Sequence, residues 1–218
     1  MNIKGLLFDL DGVIVDTAKY HYIAWKEIAE ELGVNFTLED NELLKGVSRT
    51  RSLQIILEIG KINLSGELQA EICERKNQIY LAQIKGITGD EILPGVRKFL
   101  IDSKEKGYKI ALGSASKNSI FILNQLQLTH MFDSIIDGTK VSKAKPDPEV
   151  FKRGAKELGL RYEHCIVFED AVAGVEAAHR IGMKVVGVGS KKLLPKADLH
   201  IPGFEHISIE SLLEKLEP

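Results

Sequence analysis

The five short apolar runs at residues 3–8, 109–112, 165–168, 185–188 and, more weakly, 199–201 limit the folds open to this chain more than any other feature. Each run is continuously hydrophobic rather than alternating, as strands covered on both faces are, and parallel sheets have such strands. The stretches between them carry helical punctuation. Val96, Phe99 and Leu100 share one face ahead of Gly107, and Val150, Phe151, Ala155 and Leu158 share another ahead of Gly159. Strands alternating with helical crossovers predict an α/β fold with a doubly wound parallel sheet.

One interval breaks the alternation. Between the first run and the helix after Gly95 no strand pattern occurs, but helical stripes do: Tyr20, Ala24 and Ile28; Leu53, Ile56 and Leu57; Leu68, Ile72 and Ile79. The simplest reading is an α-helical cap at 17–86 inserted into an α/β core of 1–16 and 87–218. Its hinges fall at 15–17 and at the turn-forming Gly86-Ile87-Thr88-Gly89 before Pro94-Gly95. With 218 residues, 44% of them hydrophobic, the chain can fill a core and a lid, and neither disorder nor a fibrous repeat fits.

The 29 basic and 31 acidic side chains leave a net charge of −2, so no global field draws in nucleic acid or an anionic membrane. An anionic ligand has to be held by local geometry. Cys73 and Cys165, beside Ile72 and Ile166, read as buried thiols rather than a disulfide framework. The apolar amino terminus is interrupted by Asp9 and Asp11 with no small-residue cleavage site, and no run reaches the ~18 residues of a spanning helix. These points predict a cytoplasmic protein, and a hinged cap needs no partner, so a monomer is the simplest state. Lys191, Lys192 and Lys196 read as a solvated loop. His130, His164, His179, His200 and His206 lie outside every motif.

In an open α/β sheet ligands bind beyond the carboxyl ends of the strands. The first run exits into Asp9-Leu10-Asp11-Gly12, the second into Gly113-Ser114-Ala115-Ser116, and the third into Glu169-Asp170; Lys145 precedes a helix. Two carboxylates one residue apart point the same way from extended backbone, which serves a metal site, a nucleophile with an acid/base partner, or both; an Asp before Gly is also a common turn. Four acids on one rim repel unless a hard cation such as Mg²⁺ lies among them. An aspartate attacking a phosphate meets repulsion of about 4 kcal/mol per charge pair at 4 Å and an effective dielectric near 20. Lys145 and a cation would offset it, and Ser114 could donate to a phosphate oxygen.

The segments FDLDGV, GSAS, KPDP and FED resemble, in order, the four motifs of the haloacid dehalogenase superfamily of phosphotransferases. That resemblance implies Asp9 as a nucleophile that becomes phosphorylated, Asp11 as general acid/base, and Ser114 and Lys145 on the phosphate. It also implies one Mg²⁺ held by Asp9, the Asp11 main-chain carbonyl and Asp170, with Glu169 beside them.

The cap residues Asp16-Thr17, His21, Trp25, Lys45 to Arg49 and Arg75 to Asn77, with Ser114 to Asn118, are similar to those of the β-glucose-phosphate mutases of that superfamily. The implied reaction interconverts β-glucose 1-phosphate and glucose 6-phosphate through glucose 1,6-bisphosphate, which also primes the enzyme. The implied substrate contacts are Trp25, Lys45, Gly46, Val47, Ser48, Arg49, Ser52, Lys76, Asn77, Ser114, Ala115, Ser116, Lys117, Asn118 and Lys145. A sugar with phosphates at both ends needs a second anion site, and water must be kept from the aspartyl phosphate. Arg49 has the planar fork for the distal phosphate, with Ser116, Lys117 and Asn118 near a helix start. Thr17 and His21, with Lys76, are placed to gate Asp11, while Arg51 reads as solvated. A Mg²⁺-dependent phosphatase is the alternative. A non-catalytic phosphosugar sensor has no need of a nucleophile paired with an acid.

Overall fold

The computed structural model describes residues 2–216. Six strands form one parallel sheet in the order β3-β2-β1-β4-β5-β6: β1 (Gly5–Phe8), β2 (Lys109–Gly113), β3 (Ser134–Ile136), β4 (Cys165–Glu169), β5 (Lys184–Val188) and β6 (Leu199–Ile201). All five apolar runs are strands, and β1 lies centrally, with Leu7 in register with Ala111 on one side and Val167 on the other. The alternating faces of β1 feed two cores. Leu6 and Phe8 join Phe99, Leu112, Phe168 and Phe204 on one side, with the Phe8 and Phe168 rings stacked 4.5 Å apart. Leu7 joins Ala111, Phe151, Val167 and Val185 on the other. Helices α5 (Val96–Glu105) and α7 (Glu149–Leu158) bury the stripes expected of them.

Strand β3 is the element that the apolar runs do not announce. It has three residues, begins with Ser134 and pairs only with β2 at the sheet edge, so little of its stability comes from its own hydrophobicity. Its exit, Asp137-Gly138, adds a loop to the rim where β1, β2 and β4 also end.

After β1 come four helices: α1 (Ala18–Glu31), α2 (Leu38–Glu42), α3 (Arg49–Gly60) and α4 (Gly66–Ile84). Trp25, Ile28, Phe36, Leu53, Ile56 and Ile72 form a third apolar cluster among them, apart from the two sheet cores. The α4 stripe differs from its expected form. Leu68 is 40% exposed and Ile79 only partly buried, whereas the buried line is Ile72, Lys76, Tyr80 and Ile84, one residue per turn. A lysine in that line hides it from a hydropathy reading. The two connections to the sheet unit run side by side: Asp16 N–H donates to the Glu91 carbonyl at 2.9 Å and Leu93 N–H to that of Ile14 at 3.0 Å. Lys19 and Tyr20 then hold the Glu91 carboxylate at 2.8 Å each. Among the described residues no helix is long and apolar enough to cross a membrane.

Candidate active site

A cavity of about 520 Å³ lies between the strand exits and the four inserted helices. Its floor is the β1 and β4 exits. Asp9 is 4% exposed, and the buried Lys145 ammonium donates to Asp9 Oδ1 at 2.7 Å and to Glu169 Oε1. Burial alone would lower the lysine, but the Asp9 and Glu169 charges outweigh it and raise it, so it stays an ammonium at every physiological pH. The second Glu169 oxygen accepts the Ala171 N–H at 2.9 Å. Glu169 is thus committed to holding Lys145 and the loop.

Asp9, Glu169 and Asp170 each offer a carboxylate oxygen within 4.8 Å of the others. Burial first, then the charges of Glu169 and Asp9, raise the Asp170 carboxyl well above its usual range; its cationic neighbour is Lys45 at 4.0 Å. Hard oxygen donors crowded at this spacing fit a divalent cation such as Mg²⁺. The Asp11 carboxylate stands outside that cluster. Gly12 is required beside it, because its φ is +76° and a Cβ there would lie 2.2 Å from Asp170 Oδ2.

Asp11 instead faces the helices. Its carboxylate accepts the Thr17 hydroxyl, and the His21 Nε2 lies 3.9 Å away. Burial, then the Asp9 charge, pushes the Asp11 carboxyl up to about 7. Burial and the facing Lys76 and Arg49 cations keep His21 well below its ordinary value, hence neutral. Lys76 Nζ lies 2.8 Å from His21 Nδ1; as an ammonium it has only donors, which leaves the ring proton on Nε2, facing Asp11. Tyr80 packs on His21 with centroids 4.1 Å apart and the rings tilted by 31°, and Lys76 sits 5.0 Å above the Trp25 ring and 4.6 Å above Tyr80. Burial and the charge of Arg49 bring Lys76 down to about 7.

Arg49 starts α3, where Ser48 is the N-cap and accepts the Arg51 N–H. The Arg49 guanidinium donates to Asn77 Oδ1 at 2.7 Å and lies 3.8 Å from Glu74. Lys45 pairs with Glu42 at 3.0 Å, and Gly46 packs on the β4 exit so closely that a Cβ would lie 2.8 Å from that of Ala171. Ser52 is buried and donates to the Ser48 carbonyl. On the sheet side Ser114 Oγ accepts the Ser116 N–H at 3.1 Å, and Asn118 immediately precedes α6 (Ser119–Gln125) without a capping side-chain bond.

Asp9, Asp11, His21, Trp25, Lys45 to Arg49, Ser52, Lys76, Asn77, Ser114 to Asn118 and Asp170 all line this one cavity. Thr17, Lys145 and Glu169 stand behind its wall and touch the lining residues. Trp25 lines the cavity while also packing in the third cluster. Arg51 is exposed and pairs with Glu58. Two features escape the sequence reading. Cys73, expected in a core, is half-buried on the cavity wall with its thiol toward the Arg49 carbonyl, whereas Cys165 is fully buried. The loop after β3 supplies Gly138, Val141, Ser142 and Ala144, held by Glu149, which accepts both Ser142 donors and the Lys143 N–H.

Comparison with known proteins agrees with this geometry. The family model of haloacid dehalogenase-like hydrolases matches residues 6–188. The chain is 39% identical to a β-phosphoglucomutase of Bacillus subtilis over 99% of its own length and 96% of that protein. It superposes on a crystal structure of a β-phosphoglucomutase from Clostridium difficile with a TM-score of 0.94 and 43% identity, covering 98% of this chain and 97% of that one. A fructose-1-phosphate phosphatase of Escherichia coli is 32% identical over 84% of this chain and 95% of its own. The chain belongs to the haloacid dehalogenase-like hydrolase family.

Proposed function

We propose that the protein is a phosphomutase that interconverts β-D-glucose 1-phosphate and D-glucose 6-phosphate, acting as a cytoplasmic monomer on a soluble phosphosugar. The observation that carries this reading is a single cavity lined both by Asp9, at the Lys145 end, and by Arg49, Lys117 and Asn118. A phosphatase of small monoesters needs only the first set. In this reading residues 17–86 act as a cap over the core of 1–16 and 87–218, and its closure over the sugar excludes water.

Phosphorylated Asp9 donates its phosphoryl group to the 6-hydroxyl of β-glucose 1-phosphate. Asp11 takes the hydroxyl proton as the new P–O bond forms and the aspartyl–phosphate bond breaks. The product, glucose 1,6-bisphosphate, turns end for end in the cavity. Asp9 then attacks the phosphorus on the 1-oxygen; Asp11 returns the proton to that leaving oxygen, and glucose 6-phosphate departs. Added bisphosphate primes unphosphorylated enzyme by the second half-reaction. Lys145 and the Ser114 hydroxyl hold the transferring group's oxygens, and Arg49, Lys117 and Asn118 hold the phosphate at the far end. A Mg²⁺ bound by Asp9, Asp170 and the Asp11 carbonyl would shield the charge of the transferring group. Thr17 and His21 hold Asp11, so that proton transfer waits for the closed cap.

The test is to supply Mg²⁺, β-glucose 1-phosphate and catalytic glucose 1,6-bisphosphate, and to measure glucose 6-phosphate against free phosphate. Glucose 6-phosphate should dominate and should depend on the primer. Dominant free phosphate without need of primer would replace this reading with the phosphatase.

A further inference from the structure

One side-chain oxygen ties two of the inserted helices to the sheet unit at the far end of the cavity. Asn77 Oδ1, on α4, accepts from Arg49 at 2.7 Å and from the Asn118 side-chain amide at 3.0 Å. Arg49 belongs to the cap and Asn118 to the core, so the bond pair crosses between them. The guanidinium has only donors, so the oxygen end of Asn77 must face it, and two donors use both of that oxygen's lone pairs. The Asn77 amide nitrogen makes no hydrogen bond among the described residues, and all three side chains line the cavity. Glu74, the carboxylate nearest Arg49, lies 3.8 Å away with a 61% exposed side chain, so the short contact is the neutral one. A carboxylate in Asn77's place would grip the guanidinium harder but would repel any anion brought to it. A neutral acceptor fixes Arg49 while leaving its charge for a ligand.

We infer that Asn77 is a positioning residue, a neutral latch between cap and core that aims Arg49 and Asn118 at the same ligand anion. It rests on the phosphomutase reading only in naming that anion as the second phosphoryl group of the sugar. Closing the cap and assembling the distal anion site then become one event. The loose amide nitrogen of Asn77 adds a donor to that site.

Trp25, the one tryptophan of the chain, lines the cavity and reports its occupancy. Wild type, Asn77→Ala and Asn77→Asp would be titrated with glucose 6-phosphate by Trp25 fluorescence and assayed for KM and kcat with β-glucose 1-phosphate. Phosphorylation of Asp9 by acetyl phosphate, which has no second anchoring group, is followed in parallel. Asn77→Ala should raise the half-saturating glucose 6-phosphate and the KM about tenfold, the worth of one or two hydrogen bonds to charged or amide donors. It should leave kcat and the acetyl phosphate rate within about threefold. Asn77→Asp keeps the shared acceptor, yet its charge should weaken glucose 6-phosphate at least as much. Combined with Asn118→Ala, Asn77→Ala should cost less than the product of the two single effects. Equal losses with glucose 6-phosphate and acetyl phosphate would mark a structural role and overturn the latch, as would unchanged glucose 6-phosphate binding or independent effects in the double variant. The function reading fails separately: if wild type binds glucose 6-phosphate but turns β-glucose 1-phosphate into free phosphate, the mutase falls while the latch stands on the binding result.

Discussion

The cavity has two buried lysines, and they are opposites. Lys145 in the floor lies between Asp9 and Glu169, 1% exposed, and is raised by them; its charge is matched before any ligand arrives. Lys76 in the roof lies against His21, Trp25 and Tyr80 with Arg49 as its charged neighbour, and is brought down to about 7. In the floor the lysine is outnumbered by carboxylates, and the surplus acid of Asp170 is left for a cation, whereas the roof gathers cationic groups around the space a ligand would fill. One lysine supports the fold and holds Asp9. The other stores unfavourable electrostatics that an anion would relieve.

The largest expected effect is in the floor. Asp9→Asn preserves shape and the acceptor oxygen toward Lys145 but removes the carboxylate proposed as nucleophile. Isomerisation and phosphate release should both fall on the order of 10⁵-fold, while the far-UV spectrum and melting curve stay near wild type. Residual isomerisation at a tenth of wild type would remove Asp9 from the chemistry.

The two lysines can next be set against each other by denaturant unfolding. Lys145→Ala leaves two buried carboxylates unpaired and should cost about 3–5 kcal/mol. Lys76→Met fills the same space without a charge and should leave stability within about 1 kcal/mol of wild type or raise it. If the two substitutions cost the same, the contrast between floor and roof is wrong.

His21→Ala addresses the roof's hold on Asp11, the proposed acid/base. Without the imidazole, Asp11 keeps only Thr17, and the ratio of isomerisation to hydrolysis of the aspartyl phosphate should drop about 10-fold to 100-fold, as for a misplaced catalytic group. An unchanged ratio would show that His21 does not control Asp11.

Residue type and order made the floor legible in the sequence. Asp9, Asp11, Ser114 and Glu169-Asp170 each follow a continuous apolar run, so their place on one rim follows from the topology of a parallel sheet. The roof was legible only in part. Lys76 and Tyr80 complete a one-per-turn line with Ile72 and Ile84, but a lysine reads as solvent-facing until its carbon stem is seen packed among rings. Cys73 reads as a core thiol because its neighbour Ile72 is buried, though the next position on a helix points about 100° away. Strand β3 escaped because an edge strand of three residues is fixed by its pairing with β2, and the wall that follows it is set by Glu149 accepting loop donors seven and six residues earlier.

The most gradual effect is the pH response of the roof. Where Lys76 is solvated its ammonium persists to about its ordinary 10.5, and in the folded cavity only to about 7. The groups facing it are His21 on α1, Arg49 on α3, Cys73 and Tyr80 on α4, and Asp11 from the sheet; the charged cation Arg49 reinforces the lowering and Asp11 opposes it. Below pH 7 both states hold the proton and the unfavourable contribution is present in full. Between 7 and 10.5 the folded state holds fewer protons than the unfolded one, so stability rises with pH, by up to about 1.4 kcal/mol per unit. Since Lys76→Met lacks the group, the wild-type denaturation midpoint measured against that of Lys76→Met should climb between pH 7 and 9 and be level between 5.5 and 6.5. A saturating phosphosugar should flatten the climb, because an anion beside Lys76 restores its ammonium. A difference that is flat across the whole range would mean that Lys76 keeps its proton in the cavity, and Lys76 would then be as well matched in charge as Lys145.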